Sequence, residues 1–142
     1  MNRDEIFAFL NEHSAAVVAT SENNIPHLRT LWTVHSDTNG ILFHTGTMKE
    51  IYRHLVNNPH VEMCFLNPDK SVQIRVSGVV RQLDDPTIKL ELLEKRPFLK
   101  DIKQKTGSFD FLSVFLLEKC KAVVWTFATN MIPKTYIDLH GQ

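Results

Sequence analysis

Apolar residues recur along this chain with two different periods, and the switches between them mark its elements. Ile6, Phe7 and Leu10 fall on one face of a helix over Asp4 to His13, with Asp4 at the end where the helix dipole favours an acid. Ser14 to Thr20 is a run of small and β-branched residues that predicts a buried strand, and Ser21 to Pro26 has the composition of a turn. His27 to His35 alternates: Leu28, Trp32 and Val34 take one face, His27, Arg29, Leu31 and Thr33 the other. Asn39-Gly40 is a hairpin signal, so His27 to Thr45 reads as one hairpin that ends in the strand Ile41 to Thr45.

Thr47-Met48-Lys49-Glu50 then has the Thr-x-x-Glu form of a capping box, which predicts a helix starting at Thr47. Met48, Ile51, Tyr52, Leu55 and Val56 form its apolar face, Lys49, Glu50, Arg53 and His54 its polar face, and Asn57-Asn58-Pro59 stops it. His60 to Leu66 and Ser71 to Leu83 read as a second hairpin joined by Asn67 to Lys70, with Gly78 marking a bulge or a close backbone approach. Asp84-Asp85-Pro86 opens a helix that Arg96-Pro97 ends, and Phe98 to Lys105 is a further short helix stopped at Gly107. Ser113 to Phe127 is one long strand or two with a break near Glu118-Lys119. The tally is about six strands, linked mostly by hairpin turns, with short helices between them. That pattern predicts an α+β, mainly antiparallel barrel with peripheral helices, since a parallel sheet needs a helical crossover after nearly every strand.

The chain has 142 residues, which suits one domain spanning all of it. Sixteen basic residues balance sixteen acidic ones, so the basic excess that nucleic acid selects is missing and a DNA or RNA partner is not expected. The N-terminus lacks the basic-then-apolar order of a signal peptide and no apolar run has the length of a membrane span, so a cytoplasmic chain is expected. Cys64 and Cys120 each sit in an apolar run and read as reduced, buried thiols.

Three features carry candidate chemistry. A helix N-terminus beside Lys49 suits a phosphate, although Thr47 and Glu50 could simply cap the helix and Lys49 face water. Arg29 in mid-strand must meet solvent, an acid or an anionic ligand. Gln73, Arg75 and Ser77 form a polar row that is either solvated or a ligand wall, and the basic stretch from Lys95 to Lys105 is either a solvated helix face or a rim over an anion. The seven histidines are scattered and read as surface or strand residues, so no metal site is expected. No nucleophile elbow, HExxH or paired-carboxylate motif occurs, which leaves catalytic residues unassigned.

An ordered series of short motifs resembles the pyridoxamine 5'-phosphate oxidase-like family of FMN-binding split barrels. It comprises Ala19-Thr20 with a polar turn, Pro26-x-x-Arg29-Thr30, Phe43-x-Thr45-Gly46 with Lys49 shortly after, Asn58-Pro59, and Gln73-x-Arg75-Val76-x-Gly78 leading to Asp84-Asp85. The resemblance implies a six-stranded split barrel and an FMN site drawn from Arg29, Thr30, Leu31, Trp32, His44, Thr45, Thr47, Lys49, Gln73 and Arg75. In it Arg29, Thr45, Thr47 and Lys49 hold the phosphate and Gln73 contacts the flavin. It also implies a homodimer with FMN between subunits, and hydride or electron transfer through FMN between a nicotinamide such as NAD(P)H and a small acceptor. The stretch from Arg29 reads RTLWTVH and the tail TYIDLHGQ, neither of which carries the substrate-phosphate motifs of the vitamin B6 oxidases, so pyridoxamine phosphate is not the expected substrate. Some members of the broad family bind haem, for which His44 or His140 would be the axial ligand; a flavin- or haem-binding carrier or sensor without turnover is the alternative, and a barrel without a cofactor a third.

Overall fold

A computed structural model describes residues 1–140. Its elements run α1 (Arg3–Glu12), β1 (Ala15–Glu22), β2 (Ile25–Trp32), β3 (His35–Asp37), β4 (Gly40–Gly46), α2 (Glu50–Asn57), β5 (His60–Leu66), β6 (Val72–Leu83), α3 (Pro86–Lys95), α4 (Pro97–Thr106), β7 (Leu112–Thr126) and β8 (Ile137–Asp138). The strands form one antiparallel sheet in the order β2-β1-β5-β6-β7-β4-β3, with β8 paired to β7. Inward residues of β1, β4, β5, β6 and β7, among them Val18, Phe43, Met63, Phe65, Ile74 and Phe115, pack with Ile6 and Leu10 of α1 and Leu55 of α2 into the main core. A second cluster, Leu92, Leu93, Leu99, Phe111, Leu112 and Val114, holds α3 and α4 against β7. The mainly antiparallel α+β architecture is the one the turn pattern predicts. Eight strands replace the expected six among the described residues, because β3 and β8 are three- and two-residue pairings that no periodicity reveals.

Two local expectations are corrected. The strand around Arg29 does not form a hairpin with Ile41 to Thr45; β2 pairs with β1 instead, from Ala15 opposite Trp32 to Glu22 opposite Ile25. The turn between them is Asn23-Asn24, with φ of 53° and 64°. Two successive positive φ values match the twist of a tight hairpin, and Asn tolerates them. The Asn39-Gly40 hairpin joins β3 to β4. The face of β2 carrying Leu28 and Trp32 is consequently outward, and these side chains are 70% and 62% exposed.

The capping box also fails. The N-cap of α2 is Lys49, with no side-chain cap hydrogen bond, because the Thr47 amide donates to the Phe111 carbonyl at 2.9 Å and holds Thr47 in the turn before the helix. The shorter helix changes which face is covered: His54 is fully buried, while Met48 and Val56 are exposed. Other boundaries follow the sequence. Asp85 caps α3 by accepting from the Thr87 amide at 2.9 Å, and Gly107 ends α4 in the left-handed conformation at φ 84°. The expected break in the last strand is a bulge in an otherwise continuous β7, where Lys119 has φ 55° and the pairing with β6 shifts register between Ser77 and Val79. Gly78 sits at that shift, and any Cβ there would collide with the Glu118 carbonyl oxygen.

Candidate functional site

A cavity of about 320 Å³ opens where the end of β2, the end of β4, the turn into α2 and the helix α4 meet. Each wall follows from local structure. The edge strand β2 contributes Thr30, Leu31 and Trp32, and β4 contributes His44, Thr45 and Gly46. The turn held by the Thr47-to-Phe111 hydrogen bond brings Met48 and Lys49 to the rim. From the second cluster, α4 supplies Phe98, Leu99 and Ile102, and the segment entering β7 supplies Phe111 and Leu112. The lining is therefore apolar on the helix side and polar along the strand ends.

Arg96, between α3 and α4, ties these walls together. Its guanidinium donates to the Trp32 carbonyl at 3.2 Å, to the Thr33 carbonyl at 3.1 Å and to His44 Nε2 at 2.7 Å. Because an arginine only donates, His44 Nε2 is an acceptor and the imidazole proton sits on Nδ1. Burial, reinforced by Arg96 and Lys49, lowers the His44 pKa from the ordinary 6.5 to about 4, so the ring is neutral near pH 7. Burial also pulls the Arg96 guanidinium below its usual value. At the other end, the first-turn amides of α2 have no side-chain cap and Lys49 stands beside them, an arrangement with the polarity an anion needs.

Of the ten residues singled out from the sequence, Thr30, Leu31, Trp32, His44, Thr45 and Lys49 line this cavity. The other four do not. Arg29 lies farther along β2, off the cavity, donating to Thr20 Oγ1 at 2.6 Å and to His54 Nδ1 at 3.2 Å. Thr47 is exposed in the turn. Gln73 and Arg75 lie on β6, where Gln73 accepts a long contact from Cys64 Sγ at 3.9 Å and Arg75 stands 3.7 Å from Glu62. His140 is at the far end of the sheet, its Nδ1 against the Thr38 carbonyl.

Comparison with known proteins decides the family. A pyridoxamine 5'-phosphate oxidase family model matches residues 3–114. The chain belongs to the pyridoxamine 5'-phosphate oxidase family. A stretch of 91 residues is 32% identical to pyridoxine/pyridoxamine 5'-phosphate oxidase of Enterobacter sp. (strain 638), covering 63% of this chain and 41% of that oxidase, so the chain spans less than half of the relative's length. The fold is similar to that of a NimC/NimA family protein from Clostridium acetobutylicum, with a TM-score of 0.75, 23% identity, and coverage of 96% of this chain and 93% of that one. It is also similar to a pyridoxamine 5'-phosphate oxidase-related, FMN-binding protein from Nostoc punctiforme, with a TM-score of 0.63, 17% identity, and coverage of 94% and 88%. The antiparallel sheet is thus the split barrel of the family. The family motifs all lie before α3 and carry no signal for Arg96, Leu99 or Phe111; the one hint was a basic helix break at Arg96-Pro97, and only the packing of α4 on β7 turns it toward the cavity.

Proposed function

We propose that this member of the family binds FMN in the cavity between β2, β4 and α4 and passes reducing equivalents to a small substrate, as a homodimer. The observation that carries the reading is the uncapped N-terminus of α2 with Lys49 beside it, opening onto a largely apolar cavity bounded by a strand edge. Helix amides and an ammonium suit a phosphate, and apolar side chains suit an aromatic ring system, so the residues present fit the cofactor. Lys49 and the turn from Gly46 would hold the phosphate, and Thr30, Leu31 and Trp32 would flank the ring. His44 would offer its Nδ1–H from an orientation set by Arg96. The bound flavin would supply hydride and electron transfer; these side chains bind and orient it and exclude water. Gln73 and Arg75, off the cavity of their own chain, would act from the second subunit.

The experiment is an absorbance spectrum of the purified protein after addition of FMN and buffer exchange, followed by fluorescence titration. A retained flavin spectrum with one FMN per chain, and an affinity at least tenfold weaker in Lys49→Ala, is expected, since a charge-assisted phosphate contact contributes about 1.5–3 kcal/mol. A protein that retains no FMN overturns the reading. NAD(P)H oxidation by the loaded protein then separates an oxidoreductase from a flavin carrier.

A further inference from the structure

We infer that the space between the β1–β2 hairpin and α2 is a binding site for a divalent transition-metal cation, held by His27, Glu50 and His54. One donor atom from each of these residues lies within 4.8 Å of the others. Glu50 and His54 are four apart on α2 and so share a face, with His54 Nε2 3.4 Å from Glu50 Oε1. His27 reaches the same point from β2, its Nδ1 3.9 Å from Glu50 Oε1, and its ring is 4.5 Å from that of His54. Nitrogen and oxygen ligands at about 2.0–2.1 Å from a tetrahedral zinc stand about 3.4 Å apart, so of the three pairs Glu50–His54 already has the required spacing, His27–Glu50 needs about half an ångström of closure, and the two imidazole nitrogens, within 4.8 Å of each other, close with it. Glu50 and His27 are partly exposed and free to make it, and the open side they leave would admit water as a further ligand.

A second observation points to a ligand independently of these spacings. His54 is fully buried, yet its Nε2, which faces the cluster, has no hydrogen-bond partner. A buried polar atom without a partner costs about 1–3 kcal/mol, and the imidazole nitrogen is the commonest protein ligand of a metal. The other ring nitrogen, Nδ1, is 2.8 Å from Thr20 Oγ1 and 3.2 Å from Arg29 Nη2, which can only donate to it, so a metal at Nε2 displaces the ring proton to Nδ1, where the Thr20 hydroxyl accepts it and Arg29 Nη2 gives way. The donor set of two imidazoles and one carboxylate suits zinc and its neighbours and not calcium or magnesium. Glu22 lies 3.8 Å from His54 Nε2 but is committed to Arg53 at 2.8 and 3.0 Å, so it balances charge and is not counted as a ligand. Arg29 and Arg53, both beside the cluster, oppose a dication and set the expected affinity in the micromolar range.

The site is separate from the cavity, whose lining includes none of the three residues, and the inference does not depend on flavin binding. Protein stripped with a chelator is titrated with Zn²⁺ alone by calorimetry, with competition against a chromophoric chelator, and Co²⁺ provides a ligand-field spectrum. One equivalent per chain is expected. His27→Ala and Glu50→Gln, both at partly exposed positions, should each weaken binding tenfold or more with an unchanged circular dichroism spectrum. Thr20→Val should weaken it less. No binding at micromolar Zn²⁺, or binding unchanged in both His27→Ala and Glu50→Gln, overturns the assignment.

Discussion

The Arg96 guanidinium satisfies two strand-end carbonyls and one imidazole at once, and His44 is the group that makes this contact sensitive to pH. An unfolded His44 takes up a proton near pH 6.5, whereas the folded one, buried against Arg96, resists until about pH 4. Between those values the unfolded chain binds more protons than the folded one, so stability falls as pH falls through this window, is complete above it and levels off below it. At 1.36 kcal/mol per pKa unit the full effect is about 3 kcal/mol. In His44→Gln, which keeps an acceptor for Arg96 but does not titrate, the loss of urea resistance from pH 7 to pH 4.5 should be visibly smaller than in the parent protein. An identical loss would refute the role of His44. Arg96→Ala leaves the Trp32 and Thr33 carbonyls short of a donor and should cost about 1–3 kcal/mol at pH 7 in the same assay. The motifs reveal His44 as a site residue, but its partner is 52 positions away, and nothing local to either residue announces the pair.

At the scale of elements, two glycines separate steric from conformational causes. Gly107 closes α4 at φ 84°, and nothing lies within 4 Å of the point a Cβ would occupy, so Gly107→Ala meets only backbone strain, about 1–2 kcal/mol. Gly78 lies where the β6–β7 register shifts, and a Cβ there would strike the Glu118 carbonyl oxygen, which is backbone and cannot swing away. Gly78→Ala should therefore be the more damaging, by about 1–3 kcal/mol or more, because the bulge itself must move. Equilibrium urea unfolding of the two variants checks the order, and a larger loss in Gly107→Ala would refute it. Both positions are readable in advance: a glycine that closes a helical pattern reads as a left-handed cap, and one inside a strand pattern as a bulge or a close approach. The start of α2 is not readable in the same way. Thr47 to Glu50 satisfies the local rule for a cap, and a hydrogen bond to Phe111, 64 residues on, overrides it.

For the whole molecule, the informative surface is the outer row of β2. This strand ends the sheet, and Leu28 and Trp32 are 70% and 62% exposed along it. An apolar row on an edge strand exposes both side chains and unpaired backbone groups, which in a stable protein is usually covered. The proposed homodimer would cover it with a second copy and, because Trp32 also lines the cavity, would complete the cavity wall. Sedimentation velocity should find a dimer, and Leu28→Asp should shift it to monomer without loss of the folded circular dichroism spectrum. A parent protein that sediments as a monomer at tens of micromolar would refute the arrangement.

The order of elements, the antiparallel class, the helix stops and six of the cavity's lining residues are legible in the sequence because each depends on residues close together in the chain: alternation, turn chemistry, a capping acid at Asp85, a family motif. What needed the tertiary structure depends on distant groups competing for one partner. The pairing of β2 with β1, the outward turn of Leu28 and Trp32, the release of the α2 N-terminus and the meeting of Arg96 with His44 are of this kind. The histidines show the difference most directly. His27 and His54 are 27 positions apart, one on a strand and one on what reads as a solvated helix face, and only the packing of α2 across the hairpin buries one and brings the other to it.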